Sequence, residues 1–549
     1  MKIKRIGVAA IALAAAGALT LTGCTSGSPS SSGAAGDTSA IITTNGSEPQ
    51  NPLIPTNTNE TGGGKILDSI FAGLVYYDAK GAPHNEVAES IETDDAQTYT
   101  IKIKPDQKFS NGDPVNAESF VKAWNYGAAL DNAQLSSYFF ESIEGFSYDE
   151  NVAELPGLTV VDDLTFEVKL KQPESDFPLR LGYSAFFPLP EAAWADLEAF
   201  GENPIGNGPY MLDGEGAWKH NEQISLVTNP DYDGPRKAQN GGLDIIFYAS
   251  QDASYADLQS GNVDVVDQIP EAALGTYLDE FPDRSVNQAA AIFQSFTIPE
   301  RLAHFSGDEG KLRRAAISKA INREEITDVI FEGTRTPAHD FTSPVIDGYS
   351  EDIPGSDVLD FDADEAKKLW AEADAISRGA AASRSRTTPT AATSWVDAVA
   401  NQLKNNLGID ASGAPYPTFA EVRTAVTDRT IQTAFRTGWQ ADYPALFNFL
   451  GPLYGTGAGS NDGDYSSPEV DSLLKEGLAE TDIDAANKKF QQVQEVLFKD
   501  LPAVPLWYAT VNGAWSENVD NVEFGWNSVP LYYQITKLRS SSQPATTQG

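Results

Sequence analysis

The chain has 549 residues, 41% of them hydrophobic and 10% aromatic, a globular composition with length enough for about two to four domains. It carries 78 acidic against 38 basic side chains, a formal charge of -40, so nucleic acid is excluded as a partner, and so is any membrane link that is neither covalent nor hydrophobic. One cysteine, Cys24, and four histidines, none at H-E-x-x-H spacing, exclude an intrachain disulfide and argue against a metal or a cofactor.

The chain opens with Lys2-Ile3-Lys4-Arg5, then an uncharged apolar run from Ile6 to Leu21, the layout of an export signal. The run ends in Leu21-Thr22-Gly23-Cys24, which resembles the bacterial lipobox. That resemblance implies a signal peptide over 1–23 and a diacylglycerol on Cys24. The alternative is an uncleaved membrane anchor, since the run is nearly long enough to span. Either way the body lies outside the cytoplasm, on the outer face of the cytoplasmic membrane. Residues 24–39 are rich in Ser, Gly, Ala and Thr and read as a flexible tether.

In the body, Gly62-Gly63-Gly64-Lys65 hints at a phosphate loop, but Ile66 stands where Ser or Thr is needed. Tyr99, Ile101 and Ile103 alternate with polar residues, as does Leu164 to Leu170, so both stretches predict half-buried strands. Asn116, with Glu118 in the first turn, caps a helix carrying Phe120 and Trp124. Asn229 to Gly234 partly imitates a calcium loop, yet its twelfth position is Asn240 rather than Glu. Ile245-Ile246-Phe247 suits a central strand. Ser467-Pro468, followed by Val470, Leu473, Leu474 and Leu478, reads as an N-cap and an amphipathic helix; Phe490, Val493 and Leu497 share one helical face. The class is α/β with several lobes. Ile376 to Thr393 stands apart: it holds Arg378, Arg384 and Arg386 and no acid. It reads as a surface loop, with a locally frameshifted segment as the sharper alternative that resequencing decides.

Several segments together resemble the extracytoplasmic solute-binding proteins of the oligopeptide and dipeptide ABC importers. They are Phe71-Ala72-Gly73-Leu74, Phe109 to Val115 with Phe120 and Trp124, Gly208-Pro209-Tyr210, Asn229-Pro230-Asp231-Tyr232, Leu258 to Asp264, Arg313 to Arg323, and Gly438-Trp439-Gln440-Ala441-Asp442-Tyr443. Each is weak alone; they stand in the family's order over most of residues 40–540. The resemblance implies a periplasmic-binding-protein-like type II fold. Two main lobes are joined by a hinge, and an extra domain is inserted in the first. Domain I would comprise 40–75, 200–288 and 510–540, domain II 76–199, and domain III 289–509.

It further implies a monomer that captures short peptides and hands them to ABC permease subunits, without catalysis. In the family the Asp of G-W-x-A-D-Y grips the ligand's ammonium; here that is Asp442, which as a bare sequence feature also suits a turn before Tyr443-Pro444. Trp439 would line a side-chain pocket, or serve as core. Arg436 would meet the ligand carboxylate, or form a structural ion pair. Gly438 would leave backbone open to the ligand, or simply turn the chain. The basic stretch lies where some relatives contact the ligand's C-terminal end. The alternative ligand is an oligosaccharide, metal chelate or other small solute. No G-x-S-x-G elbow occurs, and 78 acids single out no glycosidase pair. A secreted enzyme or an adhesin remains the reading from another class, to be tested by turnover or by protein binding without small-ligand affinity.

Overall fold

The computed structural model describes residues 36–377, 394–416 and 419–538. The export signal, Cys24, most of the tether and residues 378–393 lie outside them. Ile376 and Ser377, expected in a loop, instead end the helix Ala363–Ser377, where Ser377 is buried and hydrogen-bonds the Glu309 carboxylate.

A ten-stranded mixed sheet organises the described chain. Ile41–Gly46 lies inside it, parallel to Gly242–Phe247 on one side and to Val265–Val266 on the other. Gly242–Phe247 is an interior strand, as its apolar run predicts, with Leu243 and Ile245 fully buried. Two 13-residue strands, Ser285–Thr297 and Ala503–Trp515, run antiparallel, with Ser285 opposite Ala514 and Thr297 opposite Ala503. At about 3.3 Å per residue each is about 40 Å long. One end of this pair joins Val265–Val266 and the other joins Phe435–Gln440, so the two strands tie the halves of the sheet together. The register shifts between Ala289 and Ile292, an irregularity that bends a strand pair.

A separate four-stranded antiparallel sheet has the order Ala88–Glu92, Thr98–Ile103, Thr165–Lys169, Leu158–Asp162. Its alternation is the one read from sequence: Tyr99, Ile101, Ile103, Phe166 and Val168 face inward and are buried. They meet Phe120 and Trp124 of the helix Ala117–Ala128, whose rings stand 5.9 Å and 5.5 Å from that of Phe166. Each such side chain contributes roughly 1.5–3 kcal/mol on burial. The helix begins at a reciprocal cap: Asn116 Oδ1 accepts from the Ser119 amide at 3.0 Å, and the Asn116 amide donates to Ser119 Oγ at 3.2 Å. Asn116→Ala is expected to cost about 1 kcal/mol, with Asn116→Asp close to wild type, in differential scanning calorimetry.

The short motifs that lie far apart in sequence meet in space. Gly208 donates its amide to Ile70 O at 2.8 Å, and a Cβ there would stand 2.6 Å from Phe71 N, so only glycine permits the approach. Asn207 pairs with both backbone groups of Ala72, at 3.0 and 2.9 Å. Asn229 Nδ2 donates to Gly208 O, and Tyr232 joins Arg236 on the buried Glu86 carboxylate. Asp264 accepts from the Thr43 amide and from Lys537. Arg314 and Arg323 are buried and bind backbone carbonyls. These motif residues build the framework.

Gly62-Gly63-Gly64-Lys65 belongs to the helix Thr61–Ile70, against its poor helix propensity. Glu60 caps that helix through the Gly63 amide, and the buried Lys65 pairs with Asp267.

Candidate functional site

The strand Phe435–Gln440 ends the large sheet. One edge pairs with Ile292–Thr297; no described strand covers the other. An uncovered edge presents a row of backbone donors and acceptors. A cavity of about 840 Å³ runs beside it, lined by residues 436–440 with Phe293, Val426 and Tyr454 among its walls. Asn59 and Gln440 also line an adjoining cavity of about 350 Å³, into which Asp442, Tyr77, Tyr183 and Trp526 face. The two volumes form one cleft along the end of the strand.

Asp442 follows the strand and is only partly exposed. Its carboxylate accepts from Asn448 Nδ2 at 3.1 Å, and among the described residues no lysine, arginine or histidine pairs with it. Burial pushes its pKa up to about 6, with the Asn448 bond holding it down against that trend. The titratable groups around it are Tyr77, Tyr138, Tyr183 and Tyr443, all raised by burial and by the Asp442 charge. They stay neutral at physiological pH; Glu60, Asp68, Asp78 and Glu86 also line this cavity, with Asp68 and Glu86 held by Arg236 and Asp78 by His84.

Arg436 lies toward the strand's other end, exposed to the larger cavity. Its Nε donates to Gln294 Oε1 at 3.2 Å, and no described carboxylate pairs with its guanidinium. Six positions along the chain separate it from Asp442, at most about 20 Å. The cleft therefore has an unpaired carboxylate, Asp442, and an unpaired guanidinium, Arg436, near opposite ends of an open strand edge.

Gly438 sits midway and is exposed. A Cβ there would stand 3.0 Å from the Phe293 carbonyl of the neighbouring strand, tight enough that backbone must give. Trp439 is half-buried; its indole Nε1 donates to Asn448 Oδ1 at 2.9 Å while its ring lines the larger cavity. All four residues singled out on this strand and loop thus come together. Of the alternatives open in the sequence, an ion pair for Arg436 finds no partner among the described residues.

Tyr443, the next residue after Asp442, turns away from the cleft and is buried. Its hydroxyl donates to Asp176 Oδ2 at 3.3 Å, and Arg180 lies 5.7 Å from its ring. It packs in the core that contains Phe177 and Phe186.

Two polar residues that frame the site escaped the sequence reading. Gln294 is 5% exposed; it donates to Thr437 O at 2.5 Å and accepts from Arg436. Asn448 is 1% exposed within Leu446-Phe447-Asn448-Phe449-Leu450. A lone amide inside an apolar run was the available signal, because a buried polar group needs a partner.

A family model described as bacterial extracellular solute-binding proteins, family 5 middle, matches residues 82–461. The chain is 26% identical over 459 residues to the dipeptide-binding protein DppE of Bacillus subtilis, covering 80% of this chain and 82% of that one. It is 24% identical over 490 residues to the oligopeptide-binding protein OppA of the same organism, covering 86% and 88%. Among solved structures, that of Haemophilus influenzae OppA in complex with RPPGFSPFR superposes with a TM-score of 0.74 at 22% identity, covering 92% of this chain and 100% of that one. The likeness establishes the two-lobed type II binding-protein fold.

Proposed function

From the premise that this chain belongs to the bacterial extracellular solute-binding proteins of family 5, we propose that its solute is a short peptide, captured outside the cytoplasmic membrane and delivered to an ABC permease. One observation carries the reading: the uncovered edge of Phe435–Gln440 runs between an unpaired Asp442 and an unpaired Arg436. An extended peptide has the complementary features. Its backbone adds to a strand edge whatever its side chains are. Its α-ammonium meets Asp442 in a charge-assisted bond, and the carboxylate of a ligand long enough to span the edge meets Arg436. Gly438 keeps the edge open, and Trp439 offers an apolar face to a ligand side chain.

The family consists of binding proteins, and no catalytic step is assigned to this chain. The division into domain I (40–75, 200–288, 510–540), domain II (76–199) and domain III (289–509) places its hinge in Ser285–Thr297 and Ala503–Trp515. Those strands join the two halves of the sheet, and closure about such strands is a usual motion of binding proteins. Export, the tether and a lipid anchor on Cys24 rest on the sequence of residues 1–39, and the protein acts as a monomer.

The test is calorimetric titration of the form starting after Cys24, unfolded and refolded beforehand to remove carried ligand. Free tri- to pentapeptides are expected to bind more than tenfold tighter than their N-acetylated forms, the loss expected when one side of a charge-assisted bond is removed. Equal binding of both forms would keep peptide capture and remove the ammonium from Asp442. Binding of neither form would overturn the peptide reading.

A further inference from the structure

The amide of Asn448 lies one residue turn inside the helix Leu446–Tyr454, between Leu446, Phe449 and Leu450, all fully buried. A polar group in that position is costly unless its hydrogen bonds are made. Three are made, and all go to the cleft. Oδ1 accepts from the Trp439 indole at 2.9 Å and from the Asp442 amide at 2.9 Å; Nδ2 donates to the Asp442 carboxylate at 3.1 Å. The partners fix which end of the amide is oxygen, since two N–H donors face one atom and a carboxylate faces the other.

We propose that Asn448 is the positioning residue of the ligand site: its single amide holds the Asp442 carboxylate, the Asp442 backbone and the Trp439 indole in one constellation. The proposal rests on the reading of Asp442 as the ammonium acceptor and adds to it the residue that aims it.

The geometry separates this role from a local turn. A turn between 439 and 448 needs the backbone bonds, which are present without the amide: Ala445 donates to Tyr443 O at 2.9 Å and Asn448 to Ala445 O at 3.1 Å. The side chain instead fixes rotamers. A free carboxylate in a partly buried position turns toward whatever donor it finds; here one oxygen is held, which leaves the other for a ligand cation. Because Oδ1 is shared, the indole wall and the carboxylate are set at a fixed spacing. The site thus recognises an ammonium and the first apolar surface beside it as one unit.

The same bond is one of the influences on the Asp442 titration. It favours the ionised form, against burial. The other titratable groups around Asp442 are the tyrosines 77, 138, 183 and 443, with Glu60, Asp68, Asp78, Glu86 and Arg236 lining the same cavity; beyond Tyr443 lie Arg180, Glu174 and Asp176. Removing the amide without adding a charge leaves all of these in place, so a change in the titration then reports the amide alone; a second carboxylate at 448 adds its own repulsion.

Two variants test this. Asn448→Asp keeps the acceptor for Trp439 and for the Asp442 amide but replaces the donor with a second carboxylate. Asn448→Leu keeps the volume and removes every bond. The Asp442 carboxyl is followed by carbon-13 NMR in the ligand-free full-length body, assigned by its loss in Asp442→Asn. Both variants are expected to raise its midpoint by about one pH unit or more, and to reduce the preference for free over N-acetylated tripeptide at pH 7 at least about fivefold. A midpoint unchanged in either folded variant overturns the proposal. Should Asn448→Leu not fold, Asn448→Ala, which removes the same bonds without adding a charge, decides it. If the wild type shows no preference for free peptides, the ammonium reading falls, while the NMR midpoint still decides whether Asn448 holds the carboxylate.

Discussion

Asp442→Asn is expected to lower the affinity for free peptides about ten- to hundredfold while making the ligand-free protein more stable at pH 7. Both effects have one cause. The fold holds the Asp442 carboxylate in a partly buried position with an amide for company and no cation. Its pKa is pushed from an ordinary 3.8 up to about 6, so ionisation is harder in the folded than in the unfolded chain. Below pH 3.8 the group is protonated in both states and costs nothing. As pH rises through about 6 the native state loses stability relative to the unfolded one. At pH 7 that loss is on the order of 1–3 kcal/mol, the upper figure being discounted for the solvent that still reaches the group. Asparagine has nearly the same shape, keeps an oxygen for Asn448 Nδ2 and never ionises. Calorimetric scans should therefore place the variant above wild type at pH 7 and level with it at pH 4.

The ligand reverses the balance. A peptide ammonium supplies the missing cation, so binding is tightest to the ionised form. Affinity of the wild type for free peptides is expected to be highest near pH 7, to fall above about pH 8 as the α-ammonium deprotonates, and to fall as pH drops through about 6, approaching tenfold for each further unit. N-acetylated peptides and the Asp442→Asn variant should show a flat profile over the same range. A variant that loses affinity and also loses stability at pH 7 would mean that Asp442 serves the fold, as a turn residue does. The destabilised carboxylate is the feature that links the two measurements, and a site that spends stability on binding is a familiar trade.

How much of this was legible depended on whether the information was periodic or paired. Tyr99, Ile101 and Ile103, with Phe166 and Val168, announced two strands because side chains on a strand alternate faces, and the same residues are buried in one sheet. Asn116 announced a helix start because the cap is local in sequence. Residues 436–442 were readable as a unit through the resemblance, and they line one cleft. What was not legible was pairing at a distance. Gln294 reaches Arg436 and Thr437 across 142 and 143 positions. Nothing local in Phe293-Gln294-Ser295 says which strand it will face. Gly62-Gly63-Gly64 was silent for the opposite reason: its phosphate-loop hint failed at Ile66, and local propensity argues against the helix that the Glu60 cap together with the Lys65–Asp267 pair supports. Asn448 lay between the two cases. Its apolar surroundings marked it as buried, but its partners become visible only once the loop from 439 to 448 folds back.

Arg180→Met is expected to give the largest loss of stability, about 3–5 kcal/mol at neutral pH. Arg180 is 6% exposed and holds two acids at once, Glu174 at 2.8 Å and Asp176 at 2.6 Å, with Ser142 Oγ at 2.9 Å. Methionine fills similar space but leaves both acids in a buried site without a counter-charge. Even with Arg180 present, burial holds the Glu174 pKa above its ordinary value, the arginine working against that shift. Without the arginine it rises further. Since a protonated carboxyl needs no cation, the variant's deficit should shrink as pH falls through the raised Glu174 pKa and widen as pH rises. Adding Glu174→Gln to Arg180→Met should restore part of the loss at pH 7 and flatten the pH dependence; a deficit that is independent of pH and unrelieved by Glu174→Gln would mean that lost packing dominates. The consequence reaches the cleft, because Tyr443 donates to Asp176 and lies against Arg180, and Ser175 donates its amide to Leu478 O at 2.9 Å. Tyr443 adjoins Asp442. Asp442, the proposed acceptor of the ligand's ammonium, is therefore followed by the residue that docks its loop onto the segment 174–180. Loosening that dock should weaken free-peptide binding even where the variant remains folded, and it should do so by faster release, because Asp442 then loses the fixed position on which a charge-assisted bond depends.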